Sequence, residues 1–312
     1  MHTCSVVVPV YNSEGSLRLL IERLAAALPA FASAFEVILV NDASRDNSWQ
    51  VIEQLVQDYA WVRGINLMRN YGQHNALLCG IRSANYELVI TMDDDLQHPP
   101  EELHHLIAKL DEGFDVVYGT PQREQHGLLR DLASQVTKLA LQSAMGVETA
   151  RNVSALRVFR TKVRDAFAMY QGPYVSIDVL LTWGTTRFAA IPIRHEPRTI
   201  GVSNYTLRKL ITHALNMATG FSVLPLQIAS LIGIVLAAFS IVVLIWVIGR
   251  YLAEGTPVQG FPFLASIIGI FSGAQLLALG IIGEYLARMH FRMMDRPSYV
   301  VRERRSQAVE EE

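Results

Sequence analysis

Three consecutive carboxylates, Asp93, Asp94 and Asp95, follow an apolar run, and Gln97 comes two residues after the last of them. Carboxylate and amide oxygens suit Mg²⁺ or Mn²⁺, ions that bridge the phosphate oxygens of a substrate. A divalent cation bound there would neutralise the charge that a departing diphosphate gains. The spacing leaves one alternative open, which is that Asp95 only caps the helix that Pro99 introduces.

Polar residues also stand where two other predicted strands end. Pro9, Tyr11 and Asn12 come at the end of the first strand, and Asp42 follows the second. In an open parallel sheet, ligands bind beyond the carboxyl ends of the strands, so these residues and the three aspartates are expected at one rim. Asp42 would either accept a hydrogen bond from a nucleobase or cap the next helix.

The familiar phosphate-binding loops are missing from the sequence, since no GxGxxG follows a strand and no GxxxxGK[ST] occurs. The diphosphate of a nucleotide would therefore be held in another way. Lys and Arg number 27 against 29 Asp and Glu, for a net charge of -2, and this balance argues against a nucleic-acid-binding protein.

An alternation of strands and helices over the first part of the chain must position these residues. Apolar runs predict five strands, at Ser5–Val10, Phe35–Val40, Val62–Met68, Leu88–Met92 and Val116–Tyr118. Helical spacing of apolar residues predicts helices between them, at Gly15–Leu28, Trp49–Tyr59, Asn75–Ala84 and Pro100–Leu110. Strands that are apolar on both faces and alternate with helices predict an α/β fold with a helix-covered parallel sheet.

The following hundred or so residues are less regular. Leu128–Met145 has an amphipathic helical pattern and would lie either in a membrane interface or against the sheet. Leu156–Phe159 and Ala189–Ile193 are predicted strands, and Tyr205–Met217 is predicted to be a helix that leads into the membrane.

Two long stretches, 220–249 and 255–283, contain no Asp, Glu, Lys, Arg or His. A transmembrane helix needs about 20 mostly apolar residues, and a soluble core helix of this length without a charge is improbable. We therefore predict two membrane-spanning helices, at about 223–248 and 261–283, within a membrane segment 220–287.

The distribution of cations predicts the orientation. The loop from Arg250 to Glu254 carries one basic residue, whereas the opposite flanks carry Arg208, Lys209, Arg288, Arg292 and Arg296. The positive-inside rule then places the domain 1–219 and the tail 288–312 in the cytoplasm. The part of the tail after Arg302 is short and charged and is expected to be disordered.

Four strings of residues resemble those of family 2 glycosyltransferases, namely Val7–Asn12, Asn41–Asp46, Asn70–His74 and Asp93–Glu101. The resemblance is to the polyprenyl-phosphate glycosyltransferases, which include dolichol-phosphate mannose synthases and the undecaprenyl-phosphate glucosyl and formyl-aminoarabinose transferases. It extends over nearly the whole chain. It implies a GT-A catalytic domain, Rossmann-like with a mostly parallel sheet, followed by a two-helix transmembrane hairpin.

The resemblance also implies roles for residues at the rim. Asp93 and Asp95 match the DxD motif, Asp95 and Gln97 match the metal ligands, and Asp93 lies by the donor ribose or diphosphate. The nucleotide pocket corresponds to Pro9, Tyr11, Asn12, Asp42 and Asp93. Asn41 stands where the family frequently has aspartate.

Acceptor contacts are implied farther along the chain. Arg198, Ser203 and Tyr205 match an element that closes over the donor and the lipid phosphate, although Asn204 stands where the family usually has lysine. The implied lipid-phosphate contacts, on a looser match, are Arg130, Arg151 and Ser154. Asp178 is either a base or orienting residue or a carboxylate on the surface or N-cap of a helix.

These expectations describe an inverting, metal-dependent enzyme that moves one sugar from a nucleotide sugar, preferably a UDP-sugar, to undecaprenyl phosphate. The lipid-linked sugar would serve cell-envelope glycan or lipid modification. The protein would be a multi-pass inner-membrane protein, and the resemblance suggests a homo-oligomer with a flippase downstream. The alternatives are a processive polysaccharide synthase and a non-catalytic, membrane-anchored nucleotide-sugar sensor or scaffold.

Overall fold

Four parallel strands form the centre of the sheet: β1 (His2–Val10), β2 (Ala32–Asn41), β3 (Val62–Leu67) and β4 (Leu88–Thr91). The structure is a computed structural model that describes residues 1–121, 153–172, 175–196, 224–254, 260–294 and 296–307. Side chains alternate along β1, so that Val6 and Val8 enter one core and Val7 enters the core on the other face. Both faces of the sheet are therefore buried.

Four further strands extend this sheet: β5 (Val116–Pro121), β6 (Arg157–Arg160), β7 (Phe188–Ile193) and β8 (Val301–Arg305). In the described residues the sheet has the order β7-β5-β6-β4-β1-β2-β3-β8. Strand β6 runs antiparallel to β4 and β5, and β8 runs antiparallel to β3. The remaining pairs are parallel, as the prediction of a mostly parallel sheet requires.

Helices cover both faces of the sheet. They are α1 (Leu17–Ala27), α2 (Ser48–Asp58), α3 (Gln73–Ser83), α4 (Leu103–Asp111) and α5 (Ile177–Gly184), with 3₁₀ turns at Leu28–Ala30, Pro100–Glu102 and Thr161–Phe167. Apolar residues of α1, α2 and α4 pack into one core, and those of α3 and α5 pack into the other. The result is a three-layer α/β domain.

Helix α3 lies very close to the central strand. A Cβ atom built on Gly80 would lie 2.3 Å from Val7 Cγ1 and 3.1 Å from Val40 Cγ2. Only a residue without a side chain fits there, so this glycine sets the distance between α3 and the sheet. That distance places the first turn of α3 beside the ends of β1 and β2.

Two long helices, α6 (Leu224–Glu254) and α7 (Phe261–Met293), follow the domain and pack against each other. Leu226–Ala253 and Ile270–His290 are long and apolar enough to cross a membrane, with mean hydropathies of 3.1 and 1.5. None of the residues in their most apolar windows is buried. Helix α7 continues ten residues past the predicted span end at 283.

The expectation of disorder after Arg302 is wrong for residues 303–307, and residues 308–312 lie outside the described part of the chain. Glu303 and Arg305 belong to β8, which pairs with β3 at the edge of the sheet. Charged side chains are acceptable there because β8 is an edge strand with mostly exposed side chains. The predicted helices at Leu128–Met145 and Tyr205–Met217 lie outside the described residues.

Candidate active site

A cleft of about 230 Å³ opens at the carboxyl ends of β1, β2 and β4, where the polar residues were expected. Its lining consists of Pro9, Val10, Tyr11, Asp42, Asn70, Gly72, Gln73, Asp93, Asp94 and Asp95. The sheet thus brings together the three groups of polar residues that are far apart in the sequence. The loops that carry them are also strained: the described residues other than glycine that have a positive φ are Asn12, Ala43 and Leu96.

The loops after β1 and β2 hold each other in place. The backbone N–H of Asn12 donates to Ser44 Oγ at 3.0 Å, and the N–H of Arg45 donates to Asn12 Oδ1 at 2.8 Å. Positive φ values of 56° at Asn12 and 53° at Ala43 give both loops a sharp bend. Asn12 therefore supports the loop geometry around the cleft through both its backbone and its side chain.

Asp42 is buried and does not cap α2, whose N-cap is Asn47. Its two carboxylate oxygens accept hydrogen bonds from the N–H groups of Tyr71 and Gly72, at 2.7 and 2.8 Å. Burial raises the pKa of this carboxyl, and the two backbone hydrogen bonds oppose that shift. Gly72 has a φ of 93°, a backbone conformation that favours glycine. The carboxylate lies at the cleft and also anchors the loop after β3.

Gln73, the first residue of α3, contacts Asp93 across the cleft. Its Nε2 donates to Asp93 Oδ1 at 2.6 Å. Gln73 had no predicted role of its own, although its string, Asn70–His74, resembles the family. Its position in the segment that connects the third strand to the next helix was the available signal, because that strand ends at the same rim as the others.

Asp95 does not cap a helix either. Its Oδ1 accepts the N–H of Gln97 at 3.1 Å, and the 3₁₀ turn that follows is N-capped by Pro99. This local turn, with a φ of 62° at Leu96, brings the side chains of Asp95 and Gln97 onto one loop. Burial raises the pKa of the neighbouring Asp94 to about 6, and the negative charge of Asp95 adds to that shift.

The donor set of the cleft fits a hard divalent cation. Four carboxylates, those of Asp42, Asp93, Asp94 and Asp95, line it without any lysine or arginine among the described lining residues. No group of three or more His, Cys, Asp or Glu side chains in the described residues is placed so that it could hold a metal ion by itself. This arrangement suits Mg²⁺ or Mn²⁺, which bind through one or two carboxylates and complete their shell with waters and substrate phosphates.

Asp178 lies outside the residues that line the cleft. Its Oδ1 accepts from Arg157 Nη1 at 2.5 Å and from the hydroxyl of Tyr118 at 3.1 Å, and all three side chains are buried. The residue before Asp178 contacts a neighbour of the cleft: the N–H of Ile177 donates at 3.3 Å to Nδ1 of His74, which follows Gln73. The surface alternative for Asp178 is therefore wrong, whereas its role as a base or as an orienting residue stays a prediction.

One of the predicted acceptor residues is described. Ser154 precedes β6, and its Oγ accepts the N–H of Leu156 at 3.4 Å. The others, Arg130, Arg151, Arg198, Ser203 and Tyr205, lie outside the described residues. Their roles stay predictions.

Comparison with known proteins gives a family match and curated relatives. The profile described as "Glycosyl transferase family 2" matches residues 5–167. The undecaprenyl-phosphate 4-deoxy-4-formamido-L-arabinose transferase of Salmonella paratyphi A is 35% identical over 302 residues, which cover 96% of this chain and 92% of that protein. The protein of the same name from Salmonella choleraesuis gives the same identity and coverage.

Among solved structures, the chain is similar to glucosyl-3-phosphoglycerate synthase from Mycobacterium tuberculosis, determined with Mn²⁺, UDP-glucose and phosphoglyceric acid. The TM-score is 0.53 at 17% identity, and the match covers 70% of this chain and 78% of that one. This likeness shows a shared fold and confirms the predicted GT-A architecture.

Proposed function

Because the chain belongs to glycosyl transferase family 2 and is a glycosyltransferase, we propose that it moves one sugar from a nucleotide sugar to the phosphate of a polyprenyl phosphate. The names of the curated relatives, which match 96% of the chain, support this acceptor. We take undecaprenyl phosphate as the acceptor and a UDP-sugar as the donor. The relatives make UDP-linked 4-deoxy-4-formamido-L-arabinose the first donor to test, followed by UDP-glucose and UDP-N-acetylglucosamine.

The observation that carries the proposal is the charge of the cleft. A nucleoside diphosphate is an anion, and the four carboxylates of the cleft would repel it. A bound cation would offset that repulsion, which supports a metal-dependent donor site held by Asp95 and Gln97. When bound, Mg²⁺ or Mn²⁺ would neutralise the charge that develops on the departing diphosphate. The Mn²⁺ and UDP-glucose of the structural neighbour are consistent with this proposal.

Other residues of the cleft would bind and orient the donor. Pro9, Tyr11 and Asp42 line the cleft, and Asn12 lies in the loop after β1; we assign all four to the nucleotide. Gln73 fixes the Asp93 carboxylate, which we assign to the donor ribose or diphosphate. These contacts would place the anomeric carbon at the open side of the cleft, where an acceptor can approach.

The acceptor is a good nucleophile without a strong base. A phosphate monoester is largely doubly ionised near neutral pH, because its second pKa is about 6. One of its oxygens would form the bond to the anomeric carbon while the bond to the nucleoside diphosphate breaks, with inversion at that carbon. Arg130, Arg151 and Ser154 would bind the lipid phosphate, and Arg198, Ser203 and Tyr205 would close over it.

The membrane assignment belongs to the same proposal. Helices α6 and α7 would cross the inner membrane as a hairpin, with the domain 1–219 and the segment 288–312 in the cytoplasm. Cysteines introduced at Thr256 and Gln307 test this orientation through labelling with an impermeant maleimide. Labelling of intact spheroplasts at Gln307→Cys rather than Thr256→Cys would contradict it. The homo-oligomer and a flippase that carries the product across the membrane stay predictions.

The decisive experiment measures nucleotide release by the detergent-purified full chain with undecaprenyl phosphate, Mn²⁺ or Mg²⁺, and a panel of UDP- and GDP-sugars. We expect release that needs both lipid and metal with one donor, and a product that carries a single sugar. A product with several sugars would indicate the processive synthase instead. Donor binding by calorimetry without any release would indicate the sensor or scaffold.

A further inference from the structure

A chain of side-chain hydrogen bonds runs from the last strand of the sheet to the donor cleft. Asn66 Nδ2 donates to Glu303 Oε1 at 3.1 Å, and Asn41 Nδ2 donates to Asn66 Oδ1 at 2.9 Å. Asn41 Oδ1 then accepts the N–H of Ser44 at 3.2 Å. Ser44 Oγ in turn accepts the N–H of Asn12, whose loop forms one wall of the cleft. We call Glu303, Asn66 and Asn41 the relay.

The direction of each hydrogen bond in the relay is fixed, and Glu303 determines it. A carboxylate can only accept hydrogen bonds, so the amide nitrogen of Asn66 must face it. The oxygen of Asn66 then faces Asn41, which must present its own nitrogen there and its oxygen to Ser44. Since Asn41 and Asn66 are only 2% and 7% exposed, water does not replace a wrongly oriented partner.

Glu303 is itself held in place. Arg305 pairs with Glu303 Oε2 at 2.9 Å and with Glu53 of α2 at 3.0 Å. The backbone of β8 pairs with that of β3 as far as Arg305. Next to this pairing, the N–H of Met68 donates to the carbonyl of Val300 at 2.9 Å. These contacts hold the carboxylate of Glu303 beside Asn66 at the edge of β3.

Asn41 must both donate and accept within the relay, to Asn66 and from Ser44 respectively. An aspartate at 41 could not donate to Asn66. Asn66 would then have to turn its nitrogen towards residue 41 and its oxygen towards the carboxylate of Glu303. Two acceptors would face each other there, so asparagine at 41 and glutamate at 303 are a matched pair.

We propose that Glu303 is a positioning residue for the donor site and acts through Asn66 and Asn41 on the loop that carries Asp42 and Ser44. A strand that follows both apolar helices thereby sets the geometry of the nucleotide pocket. The proposal depends on the proposed function only in its test, in which UDP is the ligand whose binding is measured.

A double-mutant cycle on the full chain in detergent tests the proposal, with UDP and Mn²⁺ as the calorimetric probe. Asn41→Asp should weaken UDP binding about tenfold, because Glu303 opposes the turn of Asn66, so that the oxygen of Asn66 faces the new carboxylate and displaces the loop after β2. Adding Glu303→Gln supplies an amide that can donate, so the double variant should recover to within about twofold of the wild type. Arg304→Ala, on the same strand, is the control and should bind UDP like the wild type.

Hydrogen exchange over residues 41–46 gives a second readout that does not depend on the ligand. Exchange should accelerate in Asn41→Asp and return in the double variant. Equal behaviour of Asn41→Asp and the double variant in both measurements would overturn the proposal. If the wild type does not bind UDP, the proposed donor is wrong, and the exchange data still decide whether the relay exists.

Discussion

The guanidinium of Arg157 and the carboxylate of Asp178 form an ion pair of 2.5 Å between side chains that are 3% and 7% exposed. Tyr118 donates to the same carboxylate oxygen at 3.1 Å, so that two donors converge on it. The arrangement joins β5, β6 and the first turn of α5. It favours an orienting role for Asp178 over that of a base, since a base needs access to the acceptor.

Replacing Asp178 with alanine should lower the free energy of unfolding by about 3–5 kcal/mol, because Arg157 would remain buried without its partner. Thermal or urea unfolding measures this change. The Asp178→Asn variant should have a smaller loss in free energy of unfolding, and it should retain part of the enzyme's activity. A fully stable Asp178→Asn variant without turnover, which also loses the acidic limb of the pH profile, would establish Asp178 as the base.

Asp95→Asn should raise the Mn²⁺ concentration needed for half-maximal nucleotide release by about 10–100-fold, because the cation loses a charged ligand. The measurement is a metal titration at saturating donor and lipid. Asp58→Asn removes a carboxylate on the exposed face of α2 and serves as the matched control. Full activity of Asp95→Asn at the wild-type metal concentration would remove Asp95 from the metal site.

Gln73→Leu should raise the KM for the donor about tenfold with a smaller effect on kcat, since Asp93 loses the donor that orients it. Steady-state kinetics with the sugar identified by nucleotide release measure both constants. Gln54→Leu, an exposed glutamine on α2, is the matched control. An unchanged KM in Gln73→Leu would show that its contact with Asp93 does not support donor binding.

Gly80→Ala should destabilise the domain by about 1–3 kcal/mol, because the added methyl group overlaps Val7 Cγ1. This cost should exceed the gain in helix propensity, which is about 1 kcal/mol. Combining it with Val7→Ala removes the overlapping atom, so the double variant should lose less stability than the two single variants together. Denaturant unfolding of the four proteins tests this, and simple additivity would contradict the close contact.

Cys4 and Cys79 should resist alkylation in the native protein. Both are fully buried, and burial raises the pKa of each thiol to about 12. At about pH 8, native protein should therefore gain no maleimide adduct, whereas unfolded protein should gain two. Rapid native labelling at either residue, detected by mass spectrometry, would show that the core around it opens.

The sequence predicted the elements that have strong local signals. Runs such as Val6–Val8 in β1 and the long apolar helices can be recognised from the local sequence alone. Strand β8 could not, because its charged residues form a strand only through the backbone of β3, which lies more than 230 residues earlier. Helix α5 was missed for lack of a clear pattern.

The residues of the site likewise fall into those that the sequence could place and those whose partners it could not predict. The aspartates after β4 could be located because their type and spacing carry the chemistry. Asp42 could be placed at the rim, but its two partners, Tyr71 and Gly72, come from the loop after another strand. The surroundings of Asp178 likewise depend on Arg157, which reaches it only in the folded domain.

The place of β8 in the chain also determines the order of assembly during synthesis. The ribosome releases α6 and α7 before β8, so the hairpin must be made before the sheet receives its last strand. Until then the edge of β3 is open, and an open edge can pair with other nascent chains. Pairing of β8 with β3 covers that edge, so the sheet can be completed only after α6 and α7 have been synthesised.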